Sequence, residues 1–247
     1  MRISVTRIHL GFAAILGWCA AHSVSAADAV WTAGSGLLPT NATPPWSYYE
    51  EPTATVTLAT GILRLNTSPA FARASYFQED DLLSIPSNWK IEAEVRFVSG
   101  TSNVVGRAPA GIVFFPTKGI ANWLWIGKDE IFVNSGTRFQ RGVVANVDTD
   151  DAFHKYRIEL HGGINGSSFD VFYDDALTLT GTLFADDEDQ EPEIAWGDIA
   201  YEASGVSEWK SFTHNGAVPE PTSAALLLVG AVMFLNKRRS PSPARAC

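Results

Sequence analysis

The sequence lacks the surplus of basic residues that binding to nucleic acid requires. It has 18 lysine and arginine residues against 27 aspartate and glutamate residues, a formal net charge of −9. Phosphate binding needs clustered cations, so this balance argues against a nucleic-acid partner. Glycine and proline are present at ordinary levels, 20 and 13 residues, which excludes a collagen-like or broadly disordered chain.

Cysteine is nearly absent. The two cysteines, Cys19 and Cys247, lie near opposite ends of the 247-residue chain. The long stretch between them therefore has no disulfide and no cysteine-based zinc site. It also contains no Gly-rich phosphate loop, no Gly-x-Ser-x-Gly elbow and no His-Glu-x-x-His pattern.

The first 26 residues have the composition of a secretory signal peptide. Two arginines precede an apolar stretch over residues 10–21, and small residues occupy the positions before residue 27 that signal peptidase reads. The alternatives are a retained anchor or a lipoprotein signal ending at Cys19, although the bulky Trp18 does not suit that cleavage site. We predict that signal peptidase removes residues 1–26 during export.

A second processing signal occupies residues 218–240, followed by a tail over residues 241–247. It consists of an apolar run over residues 224–235 between a Pro-containing motif and a basic cluster, namely Val218, Pro219, Glu220 and Pro221 before the run and Lys237, Arg238 and Arg239 after it. This arrangement resembles the PEP-CTERM sorting signal of Gram-negative bacteria. The resemblance implies an inner-membrane-anchored precursor, cleavage by an exosortase, and a final place at the cell surface or in the extracellular matrix of cells that make extracellular polysaccharide.

The physical properties of this signal fit such processing. Pro219 and Pro221 hold the backbone extended, as a processing enzyme needs, and the basic cluster marks the cytoplasmic side. The apolar run has only 12 residues, whereas a helix needs about 20 to cross about 30 Å of hydrocarbon. We therefore expect a short transmembrane helix that anchors weakly or thins the bilayer.

Residues 27–217 form an acidic central part in which β-strand patterns dominate. Twelve of the 18 basic and 26 of the 27 acidic residues fall there, a net charge near −14. Apolar and polar residues alternate over residues 90–97 and 153–160, as in half-buried strands. Continuous apolar runs over residues 111–115 and 123–126 indicate strands that are covered on both faces.

Turn residues separate further strand patterns in this central part. Asp174-Asp175 lies between two of them and predicts a hairpin. Other strands are predicted over residues 55–58, 62–65, 131–133 and 208–214. Ten to twelve short strands without an amphipathic helix predict one all-β sandwich over residues 27–217.

Four segments of the predicted sandwich are similar to concanavalin A-like (laminin-G-like) lectin and glucanase domains. They are residues 148–157, which include Phe153-His154-Lys155-Tyr156-Arg157, and residues 169–174, 194–198 and 204–209. The resemblance covers about residues 50–214 and implies a jelly-roll β-sandwich of the concanavalin A-like type, with a turn at Gly197-Asp198 before the last strand. This fold hosts lectins, glycosidases, lyases and adhesive modules alike.

Aromatic residues are the candidates for glycan binding. Trp123 and Trp125 are two positions apart on one predicted strand and project from the same face, while Trp46, Tyr48 and Tyr49 lie in a Pro-rich segment. Sugar faces stack on such rings, and a few polar groups fix their orientation. Core packing between two sheets is the alternative for Trp123 and Trp125.

Glu92 and Glu94 are the candidate catalytic pair. At i and i+2 on one strand face, their carboxyl groups suit the separation of about 5–5.5 Å in retaining glycosidases. Laminarinase-type members of the resembled family have a third carboxylate, where this chain has Phe97. A solvated strand face is therefore the alternative.

Acidic loops are the candidate calcium site. Asp148, Asp150 and Asp151 in one loop, with Asp174 and Asp175 in another, offer the hard oxygen ligands that calcium prefers. The alternative is that these loops are only hydrated. His154 shares its strand face with Tyr156 and Ile158, and we expect it to be a hydrogen-bonded core residue.

The sequence thus predicts an exported, exosortase-processed surface or matrix protein whose sandwich binds glycans or other envelope components without catalysing a reaction. One alternative is a glycoside hydrolase or lyase that uses Glu92 and Glu94 on extracellular polysaccharide. Another is a structural matrix protein without a ligand. No cofactor is expected, with calcium as the alternative.

Overall fold

The computed structural model describes residues 28–68, 72–79, 88–161, 168–186 and 190–216. The predicted signal peptide (1–26), sorting signal (218–240) and tail (241–247) lie outside these described residues. In the described ranges, no helix combines the length and the apolar character needed to span a bilayer. The only helices within the described ranges are two 3₁₀ turns, Ala33–Ser35 and Pro39–Asn41.

The described residues form sixteen β-strands. In chain order they are β1 (Ala29–Thr32), β2 (Ser47–Glu50), β3 (Thr55–Ala59), β4 (Ile62–Asn66), β5 (Ala74–Glu79), β6 (Lys90–Ser102), β7 (Ala110–Thr117), β8 (Ile120–Gly127), β9 (Glu130–Ser135), β10 (Thr137–Ala145), β11 (His154–His161), β12 (Ser168–Tyr173), β13 (Ala176–Thr182), β14 (Phe184–Ala185), β15 (Glu193–Asp198) and β16 (Ala203–His214). The sequence patterns predicted only ten to twelve strands. The short strands β1, β2 and β14 and the strands β5, β10 and β15 were missing from that prediction.

Two antiparallel sheets of eight strands contain all of these strands. Sheet A has the order β13-β12-β11-β6-β16-β4-β3, with β1 also beside β16. Sheet B has the order β10-β9-β8-β7-β15-β5-β2, with β14 beside β8. The predicted all-β jelly-roll sandwich is confirmed.

The core between the sheets is rich in aromatic side chains. Strand alternation places one face of each sheet inward, so Ile91, Ala93 and Val95 of β6 are buried. Trp196 of β15 lies at the centre, with its ring centroid 4.9 Å from that of Tyr76 and 4.9 Å from that of Trp209. Rings of this size bury about 150–250 Å² each, so they contribute much of the apolar burial that stabilises the fold.

Strands β7 and β8 are buried on both faces, as their continuous apolar runs predicted. Ile112 and Phe114 belong to the core between the sheets, whereas Val113 and Phe115 belong to a second apolar cluster. The second cluster covers part of the outer face of sheet B. This face is therefore apolar in its middle, and a site can form there.

The two predicted turns have different outcomes. The hairpin at Asp174-Asp175 is confirmed, and both residues have positive φ, 48° and 65°, as a two-residue type I′ turn requires. The predicted turn at Gly197-Asp198 is wrong, because both residues lie inside β15. Gly197 has a φ of 119°, and a Cβ there would lie 2.6 Å from the Ala74 carbonyl oxygen. Glycine is needed at this position because the neighbouring strand approaches closely.

Candidate functional site

Rows of side chains cross the outer face of sheet B. Residues directly opposite each other on paired strands point to the same face of a sheet. The first row is Tyr49, Ser75, Gly197, Gly111 and Trp125, the second is Ser47, Phe77, Ala195, Val113 and Trp123, and the third is Glu79, Glu193 and Phe115. Small residues in the central strands lie between aromatic residues at the sides, and this arrangement leaves a depression in the face.

The depression is a groove of about 330 Å³, which we call the sheet B groove. This volume lies within the range of small-ligand sites, about 300–1,000 Å³. Aromatic side chains, three arginines and two glutamates line it, among them Phe77, Phe115, Trp123, Phe139, Tyr201, Arg73, Arg107, Arg138, Glu193 and Glu202. The groove therefore combines apolar ring surface with a few charged groups, as sugar-binding sites do.

Trp123 forms one side of the groove and is held in place from several directions. Its ring stacks on Phe184 with centroids 5.7 Å apart, and Phe115 contacts it edge-on at 5.5 Å. The guanidinium of Arg138 lies 5.8 Å from its centroid. Arg138 in turn donates two hydrogen bonds from Nη2 to the buried carboxylate of Asp186, at 2.6 and 2.7 Å. The orientation of this ring is thus fixed before any ligand arrives.

Arg73 lies between two tyrosines at one end of the groove. Its guanidinium carbon is 4.4 Å from the centroid of the Tyr49 ring and 3.8 Å from that of Tyr201. Arg73 Nη2 donates a hydrogen bond of 2.7 Å to the Tyr201 hydroxyl. Both tyrosines are exposed, 38% and 48%. These contacts make a rigid ring-bearing rim that a ligand in the groove can reach.

Glu193 lies at the other end, beside Glu79. The two residues are direct partners in the β5–β15 pairing. Burial, with the Glu79 carboxylate as the second cause, raises the pKa of Glu193 to about 7. A carboxyl group with a pKa raised in this way, in a groove, is the pattern expected at a functional site. Glu193 therefore changes between its neutral and its ionised form as the pH passes about 7, and the charge at this end of the groove changes with it.

The structure separates the five aromatic residues predicted to bind glycan. Trp46 and Trp125 are fully buried, with Trp125 Nε1 donating to Asn134 Oδ1 at 2.5 Å, and Tyr48 stacks on Tyr76 with centroids 4.7 Å apart. Trp46 and Tyr48 belong to the core between the sheets, whereas Trp125 lies on the outer face of sheet B in the second apolar cluster, covered by Arg107. Trp123 lines the sheet B groove with only 5% of its surface exposed, and Tyr49 contacts Arg73 at the rim. For these two rings ligand contact stays a prediction.

Glu92 and Glu94 lie on the outer face of sheet A, on the far side of the sandwich from the groove. Glu92 is 3.3 Å from both Lys90 and Lys155, and Glu94 is 2.8 Å from Lys210. Their alternation with inward residues is as predicted, so they do share one face. Here they belong to a lattice of ion pairs, and with Phe153 and Lys155 they line a cavity of about 250 Å³. A catalytic role for the two carboxylates stays a prediction.

The candidate calcium ligands are only partly grouped. Carboxylate oxygens of Asp129, Asp148 and Asp150 lie within 4.8 Å of one another, a spacing that suits a cation with oxygen ligands. Asp151 instead accepts from His154 Nε2 at 2.7 Å. Calcium binding stays a prediction, with Asp129 taking the place of Asp151 in the group.

His154 is hydrogen-bonded, but it lies at the end of sheet A, outside the core described above. Its Nδ1 is 2.8 Å from Asp174 Oδ2, and its ring stacks on Tyr173 at 4.7 Å. Burial alone would lower its pKa, but the hydrogen bonds and charges of Asp174 and Asp151 outweigh burial and raise the pKa. The expectation of a core position is therefore corrected.

Most residues of the groove were missed by the sequence analysis. Arg73 and Tyr201 lie just outside strands, where no periodic pattern marks them, and Glu193 lies in an acidic stretch that resembles a solvated loop. A usable signal was the pair of aromatic residues at positions 123 and 125, which lie on the sheet face that carries the groove.

Comparisons with known proteins give similarity of architecture only. No protein-family model and no curated protein matches the sequence. Similar solved structures include SO2946 from Shewanella oneidensis MR-1, a protein of unknown function, with 13% identity, a TM-score of 0.49, and coverage of 87% of this chain and 97% of that chain. The exoplasmic/lumenal domain of VIP36 in a Ca²⁺/Man2-bound form has 11% identity, a TM-score of 0.47, and coverage of 80% and 91%. The β-glucanase of Bacillus licheniformis has 14% identity, a TM-score of 0.43, and coverage of 68% and 91%.

Proposed function

We propose that the protein binds a glycan in the sheet B groove, as an exported protein of the cell surface or extracellular matrix. The observation that carries the proposal is the groove itself. The exposed rings of Phe139 and Tyr201 and the fixed, largely buried ring of Trp123 line it, and residues without large side chains form its floor. A sugar chain can lie on this floor with its ring faces against the aromatic residues.

The direction of the groove suits a polymer. Arg73, which precedes β5, and Glu193, which pairs with Glu79 at the end of β5, lie at its two ends. At 3.2–3.4 Å per residue, a strand segment of this length spans about 20 Å. Several consecutive sugar units fit along such a length, so an extracellular polysaccharide is a better match than a single monosaccharide.

Replacing an exposed rim tyrosine tests the site. We expect Tyr201→Ala to weaken binding about tenfold, equivalent to about 1.4 kcal/mol, because the variant removes ring surface and the partner of Arg73. Binding is measured by calorimetry with the full chain in mild detergent, on polysaccharides identified with a glycan array screened with and without calcium.

A matched control lies on the other sheet. Phe172 is an aromatic residue on the outer face of sheet A, with the Arg157 guanidinium 4.0 Å from its ring centroid. Phe172→Ala should bind polysaccharide as the wild type does. Equal losses in the two variants, or an array without any bound glycan, would contradict the proposed site, and the second result would favour a structural matrix protein.

Export and sorting form the second part of the proposal and rest on the sequence signals. We expect Pro219→Ala combined with Pro221→Ala to leave an unprocessed form in the membrane fraction, because the exosortase would lose its motif. Immunoblotting of cell fractions measures this. Release of the double variant at the wild-type rate would be incompatible with exosortase processing.

A further inference from the structure

We infer that the sheet B groove selects glycans that carry carboxylate groups, such as uronate polymers, over neutral glycans. The inference rests on the proposed function, because it names the class of ligand for the same groove. The charges of the lining, the contacts of Arg73 and the position of Glu193 carry it.

The groove differs in charge from the rest of the protein. The whole chain has 27 acidic and 18 basic residues, yet the groove lining has three arginines against two glutamates. One of these glutamates is Glu193, whose pKa of about 7 leaves it partly neutral at neutral pH. Each of the three arginines also has an acidic ion-pair partner, Glu51, Glu202 or Asp186. The groove is therefore a less negative region of an acidic surface, and it repels an anionic ligand less than the remaining surface does.

Arg73 is the arginine best placed to contact a carboxylate. Its closest acidic group is Glu51, with Nε 3.8 Å from Oε1, which is too far for a hydrogen bond. The Arg73 side chain is 29% exposed, and its hydrogen bond to the Tyr201 hydroxyl uses one N–H of Nη2. Guanidinium groups bind carboxylates through two parallel N–H bonds, so the remaining N–H groups of Nη1 and Nη2 can bind a uronate at this rim.

The other two arginines contribute charge in different ways. Arg138 is bound to Asp186 and supports Trp123, so its role is to position the ring. Arg107 lies over the rings of Trp125 and Phe139, at 5.2 and 4.7 Å from their centroids, and its Nε is 3.9 Å from Glu202. It lines the groove together with Glu202, which balances part of its charge.

Glu193 makes the selection depend on pH. The charged groups around it are Glu79 on β5, Glu191 in the segment before β15, and Lys118 after β7, which binds Glu191 at 2.5 Å. Above pH 7 the ionised Glu193 repels a ligand carboxylate, and below pH 7 its neutral form does not. Uronate groups stay ionised down to about pH 4, so the affinity for them should fall as the pH rises through about 7.

The test compares polygalacturonate with its methyl ester, together with a panel of neutral and carboxylated glycans. The full chain in mild detergent is titrated with each at pH 6. We expect binding to the carboxylated polymers at least tenfold tighter than to the esters or the neutral glycans. Arg73→Gln should remove most of this preference, whereas Arg157→Gln, which changes an arginine over an aromatic ring on sheet A, should keep it.

The outcomes separate this inference from the proposed function. Equal or tighter binding to neutral glycans, lost in Tyr201→Ala, would overturn the inference and leave glycan binding in place. Absence of binding to every glycan would overturn both. A third result bears on Glu193: wild-type affinity for the carboxylated polymer should be about threefold lower at pH 8.5 than at pH 6, and Glu193→Gln should show no such change. A pH response that survives in Glu193→Gln would contradict the assigned role.

Discussion

The outer faces of the two sheets are built from the same alternating strands but carry different chemistry. On sheet A, oppositely charged residues stand directly across from each other, and β11 pairs Lys155 with Glu94, Arg157 with Glu92 and Glu159 with Lys90. On sheet B, most of the equivalent outward positions are aromatic or small, with the charged pair Glu79 and Glu193 at one end. One face thus matches its charges within the sheet, and the other leaves a groove with aromatic sides.

This difference shows how a sandwich can reserve one face for binding. Exposed cross-strand ion pairs contribute little stability, typically below about 1 kcal/mol each, but they keep sheet A hydrated. The apolar outer face of sheet B is covered over part of its area by the second apolar cluster, and the groove lies where that cover is incomplete.

The largest expected effect comes from removing a buried aromatic residue on the outer face of sheet B. Trp125→Ala should lower the free energy of unfolding by about 3–5 kcal/mol, because a fully buried ring is replaced by a cavity. The matching change on sheet A, Phe172→Ala, should cost about 1 kcal/mol. Denaturant unfolding of both variants measures the contrast, and equal losses would show that the two faces are packed alike.

The second contrast is between two ion pairs. Asp186 and Arg138 are largely buried, with side-chain exposures of 1% and 13%, so Asp186→Asn should destabilise the protein by about 2–3 kcal/mol and weaken glycan binding by loosening Trp123. Glu94 and Lys210 on sheet A are about 40% exposed, and Glu94→Gln should change stability by less than about 1 kcal/mol. Thermal and chemical unfolding measure the changes in stability, and calorimetry measures the change in glycan binding. Unchanged glycan binding in Asp186→Asn would contradict the role of Arg138 in holding the Trp123 ring.

Much of the sandwich could be predicted from the sequence, because alternation and apolar runs report directly on burial. Strands β6, β7, β8 and β11 and the Asp174-Asp175 turn were predicted in this way. Gly197 misled the analysis, since a glycine before an aspartate indicates a turn when the close neighbouring strand is unknown. The groove was beyond the sequence patterns, because its rows join β2, β5, β15, β7 and β8, whose order and register a single sequence does not contain.

The smallest expected effect concerns the acidic end of sheet A. The pKa of His154 is raised in the folded protein, so its ion pairs stabilise fully below the unfolded pKa of about 6.5 and this stability is lost as the pH rises through the folded value. Because Asp151 and Asp174 are half exposed, we expect a loss of less than about 1 kcal/mol. Thermal midpoints from pH 5.5 to 8.5 should fall in the wild type and respond less in His154→Gln. An identical pH response in both proteins would contradict this assignment.

Glycan binding to one face of the sandwich is the central claim, and a nuclear magnetic resonance titration tests it most directly. Backbone amide shifts of the labelled protein are followed as a bound polysaccharide is added. We predict that shifts concentrate on Tyr49, Arg73, Ala195, Gly197 and Tyr201, and that the amides of the ion-paired sheet A face, including Glu92 and Lys155, stay unchanged. Shifts centred on sheet A with an undisturbed sheet B groove would contradict the account.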